Sequence, residues 1–126
     1  MGRVEVEMNV VVLCGRLSSA PVIRELESGS VLMNCELTTR VDDVANSVPL
    51  VWFDPPAAAV FEAGDEVAVV GTVRRRFYRA GASTQSRTEV VVELLGKVGD
   101  KRAATARRKW INAAMGADLL NGLRSF

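Results

Sequence analysis

Val48-Pro-Leu-Val-Trp-Phe53, Asp54-Pro-Pro-Ala-Ala-Ala-Val-Phe-Glu-Ala-Gly64 and Asp65-Glu-Val-Ala-Val-Val-Gly71 form the stretch on which the fold turns. Val48 to Phe53 is apolar and β-branched enough for a strand. Asp54 can cap free helical amides, and Pro55 suits the first helical position, where its missing N–H is not needed. Ala57 to Glu62 then supply barely two turns, and Gly64 is a stop. Glu66 to Phe77 returns to a strand, with Val67, Val69 and Gly71 on one face. The expectation is a short helix between two strands.

Working outward towards the N-terminus, Val31 to Thr39 alternates, with Val31, Met33, Cys35 and Leu37 sharing a face. Val41 to Ser47 reads as a short polar loop. Ser28-Gly29 marks a tight turn, and Pro21 to Leu26 a short extended piece. Residues 4–17 form a long valine-rich strand from Val4 and Val6 onward, and Gly15 within it suggests a bulge or a bend. Towards the C-terminus, Ala80-Gly-Ala-Ser83 is a hairpin tip and Arg87 to Leu95 the last strand. The order is β-β-β-α-β-β. That is the order of an all-β OB-fold, a five-stranded, partly open Greek-key barrel with one short helix between strands three and four. A small sandwich and an SH3-like barrel share the strand count, and the single helix in that interval favours the OB arrangement.

Residues 1–96 are thus the OB-fold domain, and 97–126 a basic C-terminal tail. In the tail a helix is expected from about Ala103 to Leu120. Trp110, Ala113, Ala114 and Ala117 would share a face there, with Ile111, Met115 and Leu119 beside it.

The chain has 126 residues, 48% hydrophobic and 25% charged, a length that suits one domain with one core. It contains no histidine. That removes the commonest general base and metal ligand, and excludes Ser-His-Asp and Cys-His machinery. Cys14 and Cys35 alone cannot complete a zinc site. Glu5, Glu7, Glu25 and Glu27 read as exposed strand positions rather than a metal cluster. No enzyme, metal or cofactor is expected. No apolar run approaches the ~20 residues of a membrane span. Two cysteines without a secretory signal read as reduced thiols in a cytoplasmic protein.

The formal net charge of +1 conceals a division. Residues 1–73 carry net −7, residues 74–109 net +8, and residues 110–126 none. A basic third in a nearly neutral chain is an electrostatic footprint for a polyanion. Arg74-Arg-Arg-Phe-Tyr-Arg79 carries its centre. Alternation puts Arg74, Arg76 and Tyr78 on one face and Arg75, Phe77 and Arg79 on the other. Cations that follow phosphates beside rings that stack on bases are what sequence-tolerant single-strand binding needs. Trp52 and Phe53 are neighbours, so one should be core and the other exposed. In the tail, Arg102, Arg107, Arg108 and Lys109 are candidate phosphate contacts ahead of Trp110; a solvated helix face is their plainer reading.

From Met8 to about residue 95 the chain resembles the bacterial single-stranded-DNA-binding protein family, SSB. Met8-Asn-Val-Val-Val-Leu-Cys-Gly-Arg-Leu17 is similar to that family's opening strand. Pro21 and Arg24 fit its next stretch, with Ala20 where an Asp is usual. Gly29, Asn34 and Leu37 match its turn and second strand. Gly71-Thr-Val-Arg-Arg-Arg-Phe-Tyr78 and Thr88-Glu-Val-Val-Val92 match its last two strands. The resemblance implies an OB-fold, a homotetramer or homodimer, and single-stranded DNA held over stacking aromatics. It places Phe53 and Tyr78 at stacking positions, while Asp43 and Ser47 stand where tryptophans are common. The family's acidic C-terminal tip has no counterpart in Leu123-Arg-Ser-Phe126, as in a divergent paralogue.

The function expected is therefore non-sequence-specific single-stranded DNA binding in replication, recombination or repair, in a cytoplasmic, nucleoid-associated protein. Phe53 and Tyr78 would stack, Arg74, Arg76 and Arg79 would hold phosphates, and Phe77 and Arg87 are further nucleic-acid contacts; RNA offers the same contacts. The alternative is an OB-fold oligomerisation or adaptor module in a primosome-like complex or beside a main SSB. The Val4–Val6 segment could pair with a second subunit as an added edge.

Overall fold

Six strands and one helix follow one another in the computed structural model, which describes the backbone of residues 7–125 and the side chains of residues 7–116. They are β1 (Val11–Leu17), β2 (Val22–Glu25), β3 (Val31–Val41), β4 (Val44–Phe53), β5 (Glu66–Ala80), β6 (Ser83–Lys97) and α1 (Lys101–Ser125). The strands run β1-β5-β6-β4-β3 around the sheet, and β1 pairs again with β3 to close it. Among the described strands only β4 and β6 pair in parallel, at Leu50↔Val90 and Val51↔Val91. A closed five-stranded Greek-key barrel with this order is OB-fold-like, as the strand pattern implies. β2 is a sixth, short strand that shares the outer edge of β3 with β1. Val4 and Val6 lie outside the described residues.

The alternating apolar positions fill the barrel. Leu17, Leu37, Leu50, Val67 and Val69 are fully buried, and Met33, Trp52, Val90, Val92 and Leu95 pack with them. Gly15 is the point where β1 passes from β5 to β3. Its position leaves no room for a side chain, since an added Cβ would lie 2.3 Å from the Thr38 carbonyl oxygen.

The helix expected after Phe53 is not there: residues 54–65 form turns and irregular chain. Asp54 has another use. Its backbone is left-handed, at φ 50°. Its Oδ1 accepts the Val31 amide at 2.9 Å, and its own amide donates to the Val31 carbonyl at 2.7 Å. The carboxylate thus caps the start of β3 instead of a helix. The chain leaves Asp54 in the wrong direction for a helical turn, and Pro55-Pro56 favours extended backbone. Six residues before Gly64 are too few to repay helix nucleation. The loop still seals the barrel end. Ala59 and Phe61 pack on the core, Gly64 donates to the Leu17 carbonyl at 2.8 Å, and Leu17 donates to the Asp65 carbonyl at 3.0 Å.

Two hairpins are tighter than the sequence suggested. The Val41–Ser47 loop shrinks to Asp42-Asp43, both with positive φ, 51° and 64°. This is a two-residue turn of the type whose twist suits a hairpin. β6 starts at Ser83 rather than Arg87, directly after the two-residue loop Gly81-Ala82.

The C-terminal helix begins at Lys101, two residues before the expected start. Asp100 is its N-cap: its Oδ1 accepts the amides of Arg102 and Ala103 at 3.0 and 3.2 Å. Ala103 lies over Gly96, and Trp110 and Ala114 line one cleft with Met8, Val10 and Thr72. The helix therefore covers the outer face of β5–β6, where Ala68 and Val70 are buried outside the barrel core. Ala113, expected on the packed face, is exposed, and Ala117 and Leu119 lie beyond the described side chains. Among the described residues no helix is long and apolar enough to cross a membrane.

Both cysteines are free thiols, Cys14 exposed and Cys35 buried. Burial, helped by the neighbouring Glu36 charge, pushes the Cys35 thiol from 9.0 up to about 11. The folded state holds that proton more tightly than the unfolded chain. Its contribution to stability is thus intact below about pH 9 and lost as pH rises through about 11. At pH 8 a thiol reagent should label Cys14 rapidly and Cys35 only on unfolding. Two fast equivalents would contradict this burial.

Candidate nucleic-acid interface

Beyond Val73 on β5 and before Glu89 on β6, the hairpin leaves the barrel as an arm. Between Arg74 and Thr88 it carries five arginines and no acidic residue. The register fixes its two faces. Arg74 is opposite Glu89, Arg76 opposite Arg87 and Tyr78 opposite Gln85. On the other face Arg75 is opposite Thr88, Phe77 opposite Ser86 and Arg79 opposite Thr84. The irregularity between Val70 and Gly71 gives β6 one extra residue, so β5 keeps its alternation through the arm. The Tyr78 face therefore continues the outer face that α1 covers.

On that outer face, five side chains from three strands form one network. The Glu89 side chain is wholly buried (0% exposed). Its Oε2 accepts from Arg74 Nη2 at 3.2 Å and its Oε1 from Arg76 Nε at 3.0 Å. Each guanidinium lies over a ring at 5.3 Å from the centroid, Arg74 over Phe53 and Arg76 over Tyr78. Phe53 and Tyr78 are 40% and 37% exposed, so both rings remain open to a ligand. A buried carboxylate would be costly without partners; here the two arginines satisfy it and it holds them in place. Each cation–ring contact adds about 0.5–1 kcal/mol at such sites. The chemistry on offer is pre-oriented and half charge-compensated, two guanidiniums sharing one carboxylate: stacking surface more than free cation.

No family model and no curated protein matches the chain.

The opposite face is built differently. The Arg75 guanidinium lies 5.3 Å from the Phe77 centroid. Its Nε and Nη2 both donate to Ser86 Oγ, at 3.2 and 3.0 Å. Among the described residues no carboxylate pairs with Arg75 or Arg79, in contrast to Arg74 and Arg76. Arg87, opposite Arg76 on the Tyr78 face, approaches Glu36 at 3.9 Å.

The tail cations divide as well. Arg102, Arg108 and Lys109 are exposed on α1 together with Lys101. Arg107 points inward over Gly96, and its Nη1 is buried without a hydrogen-bond partner. Its guanidinium belongs to the helix–barrel contact.

Two residues central to this geometry were not singled out from sequence. Glu89 sits in a strand at an outward position, and outward normally means solvent. Nothing in the sequence says that Arg74 and Arg76 close over it, although the register that pairs Arg74 with Glu89 would have suggested it. Asn9 is the other. Its Nδ2 donates to the Val73 carbonyl at 2.7 Å, and its Oδ1 accepts the Val73 amide at 2.8 Å. The side chain thus imitates a strand partner and ties the root of the arm to the chain before β1. Among the described residues no group of three His, Cys, Asp or Glu side chains is placed to hold a metal.

Proposed function

We propose that the protein binds single-stranded nucleic acid, with single-stranded DNA as its ligand and little sequence preference. The observation that carries this reading is the Phe53–Arg74–Glu89–Arg76–Tyr78 network. It places two open ring faces on one side of a cationic arm. Bases stack on Phe53 and Tyr78, and phosphates are drawn by Lys101, Arg102, Arg108 and Lys109 of α1, which lies on the same outer face. The OB-like barrel is compatible with this, and the SSB resemblance of residues 8 to 95 points the same way. The chemistry is binding, without catalysis or a cofactor, and it suits a cytoplasmic, nucleoid-associated role in replication, recombination or repair.

Anisotropy titration with labelled oligothymidine at two salt concentrations tests the reading. Binding should weaken steeply with salt, since released counterions dominate such contacts. Phe53→Ala and Tyr78→Ala should each cost about 1–3 kcal/mol of affinity with the fold intact. Absence of binding at low salt would end the proposal.

A second reading rests on the open edge of β2. All four of its residues are exposed, including Val22 and Ile23, and among the described residues no strand pairs with its outer edge. It favours a homodimer or homotetramer, or an adaptor that joins a main SSB. A monomer mass by light scattering at micromolar concentration would count against self-association.

A further inference from the structure

The arm has two faces, and the proposed function uses only one. The other face carries the most exposed ring of the arm: Phe77 is 65% exposed. Two hydrogen bonds to Ser86, at 3.2 and 3.0 Å, hold Arg75 over this ring. Arg79 lies two residues further along the same face, and the residues opposite are Thr88, Ser86 and Thr84. These are small hydroxyl side chains that leave the ring and both cations open.

The electrostatics separate the two faces. On the Tyr78 face one buried carboxylate serves Arg74 and Arg76, and Arg87 faces Glu36. On the Phe77 face, among the described residues, neither arginine has a carboxylate. A ring held under a guanidinium, beside a second uncompensated arginine, is suited to a base with its phosphate. An apolar protein partner would have to desolvate both cations with nothing opposite them. The complementary occupant is therefore anionic and aromatic together, which is a nucleotide.

We infer that the Arg75–Phe77–Arg79 face is a second binding site for single-stranded nucleic acid, so that the arm holds one segment on each side. This rests on the reading of the protein as a single-strand binder. The second segment is either the same strand returning around the Gly81-Ala82 tip or another strand.

The test is stoichiometry per protomer at low salt, with a short oligothymidine of about six nucleotides, near the small end of OB-fold site sizes. Wild type should take up two equivalents. Phe77→Ala should take up one at unchanged affinity, with the other weakened by about 5- to 150-fold, the loss of one stacked base. Tyr78→Ala should show the reverse, weakening the equivalent that Phe77→Ala keeps. Phe77 is exposed, and an unchanged melting temperature verifies that the variant is folded. A long oligothymidine then separates the sources: one strand per protomer for a chain that rounds the tip, two for separate strands. One equivalent in wild type, with Phe77→Ala indistinguishable from it, overturns the second site and leaves the proposed function standing. A fall in oligomer mass in Phe77→Ala, with oligonucleotide uptake unchanged, also overturns it, by making this face a protein contact. No uptake by any variant or wild type fails the single-strand reading itself.

Discussion

Gly71→Ala should leave little folded protein. A Cβ at this position would lie 2.1 Å from the Val91 carbonyl oxygen and 3.0 Å from its carbonyl carbon. Both are backbone atoms of β6, the strand that must pair with β5 at this point. No rotamer change relieves the clash; β5 and β6 would have to separate where the register already shifts between Val70 and Gly71. The affected ladder also orients Val69 and Val92, both in the core cluster. A loss above about 4 kcal/mol is expected, of a total that is typically about 5–15 kcal/mol. Urea unfolding followed by circular dichroism reads it. Gly29→Ala is the control. Nothing lies within 4 Å of a Cβ there, and only its φ of 90° opposes the change. That substitution should cost about 1 kcal/mol, as backbone strain alone. A Gly71→Ala protein that melts within a few degrees of wild type would show that the two strands tolerate separation.

Glu89→Ala should damage both stability and binding, in a way that Glu89→Gln only partly reproduces. Alanine leaves two guanidiniums side by side with no anion between them and opens a void beneath them. Removing one member of a buried pair costs about 3–5 kcal/mol, but the arginines here reach solvent, so about 2 kcal/mol is expected. Glutamine can still accept one hydrogen bond and should lose less. The binding signature is more specific. With Glu89 in place, Arg74 and Arg76 are held on Phe53 and Tyr78 and share one negative charge. Without it they are free to seek phosphates. The salt dependence of oligothymidine binding should then steepen, by up to about 0.7 in log–log slope for each added phosphate contact. Affinity at high salt, where stacking dominates, should fall. A salt slope unchanged in Glu89→Ala would mean that Arg74 and Arg76 already contact phosphates in wild type.

The barrel was legible because its signal is periodic. Val67 and Val69, Met33, Cys35 and Leu37, and Leu50 beside Trp52 alternate into one core, and alternation survives any error about the loops. Alternation also sets Trp52 and Phe53 on opposite faces without saying which is core; the structure buries Trp52 and exposes Phe53. The loops were less legible because their residues have competing uses. Asp54 followed by two prolines reads as a helix start, and nothing local reveals that its carboxylate is engaged by the Val31 amide 23 residues earlier. Asp42-Asp43 lacks the glycine that usually announces a two-residue hairpin, so the turn passed for a loop. At the site, the cationic and aromatic side chains were visible as types in a pattern. Their division into a compensated and an uncompensated face was not. That division depends on one buried acid, Glu89, and on its cross-strand register with Arg74, which no single segment contains.

The double pairing of β1 has a kinetic consequence. The β3–β4 hairpin turns on two residues and can form as soon as its own segment is free. β1 cannot finish so early. Its Leu17 pairs with Leu37, but Val11 pairs with Gly71, and the Asn9 side chain waits for Val73, 64 residues away. Such distant closure carries a loop-entropy cost before any packing repays it, and sheets closed this way fold slowly. In a chain emerging from the ribosome, β1 is made before the other five described strands yet is among the last to be fully paired. Until β5 arrives, Val11 and Leu13 have no barrel to enter, and the growing chain carries an unsatisfied strand edge.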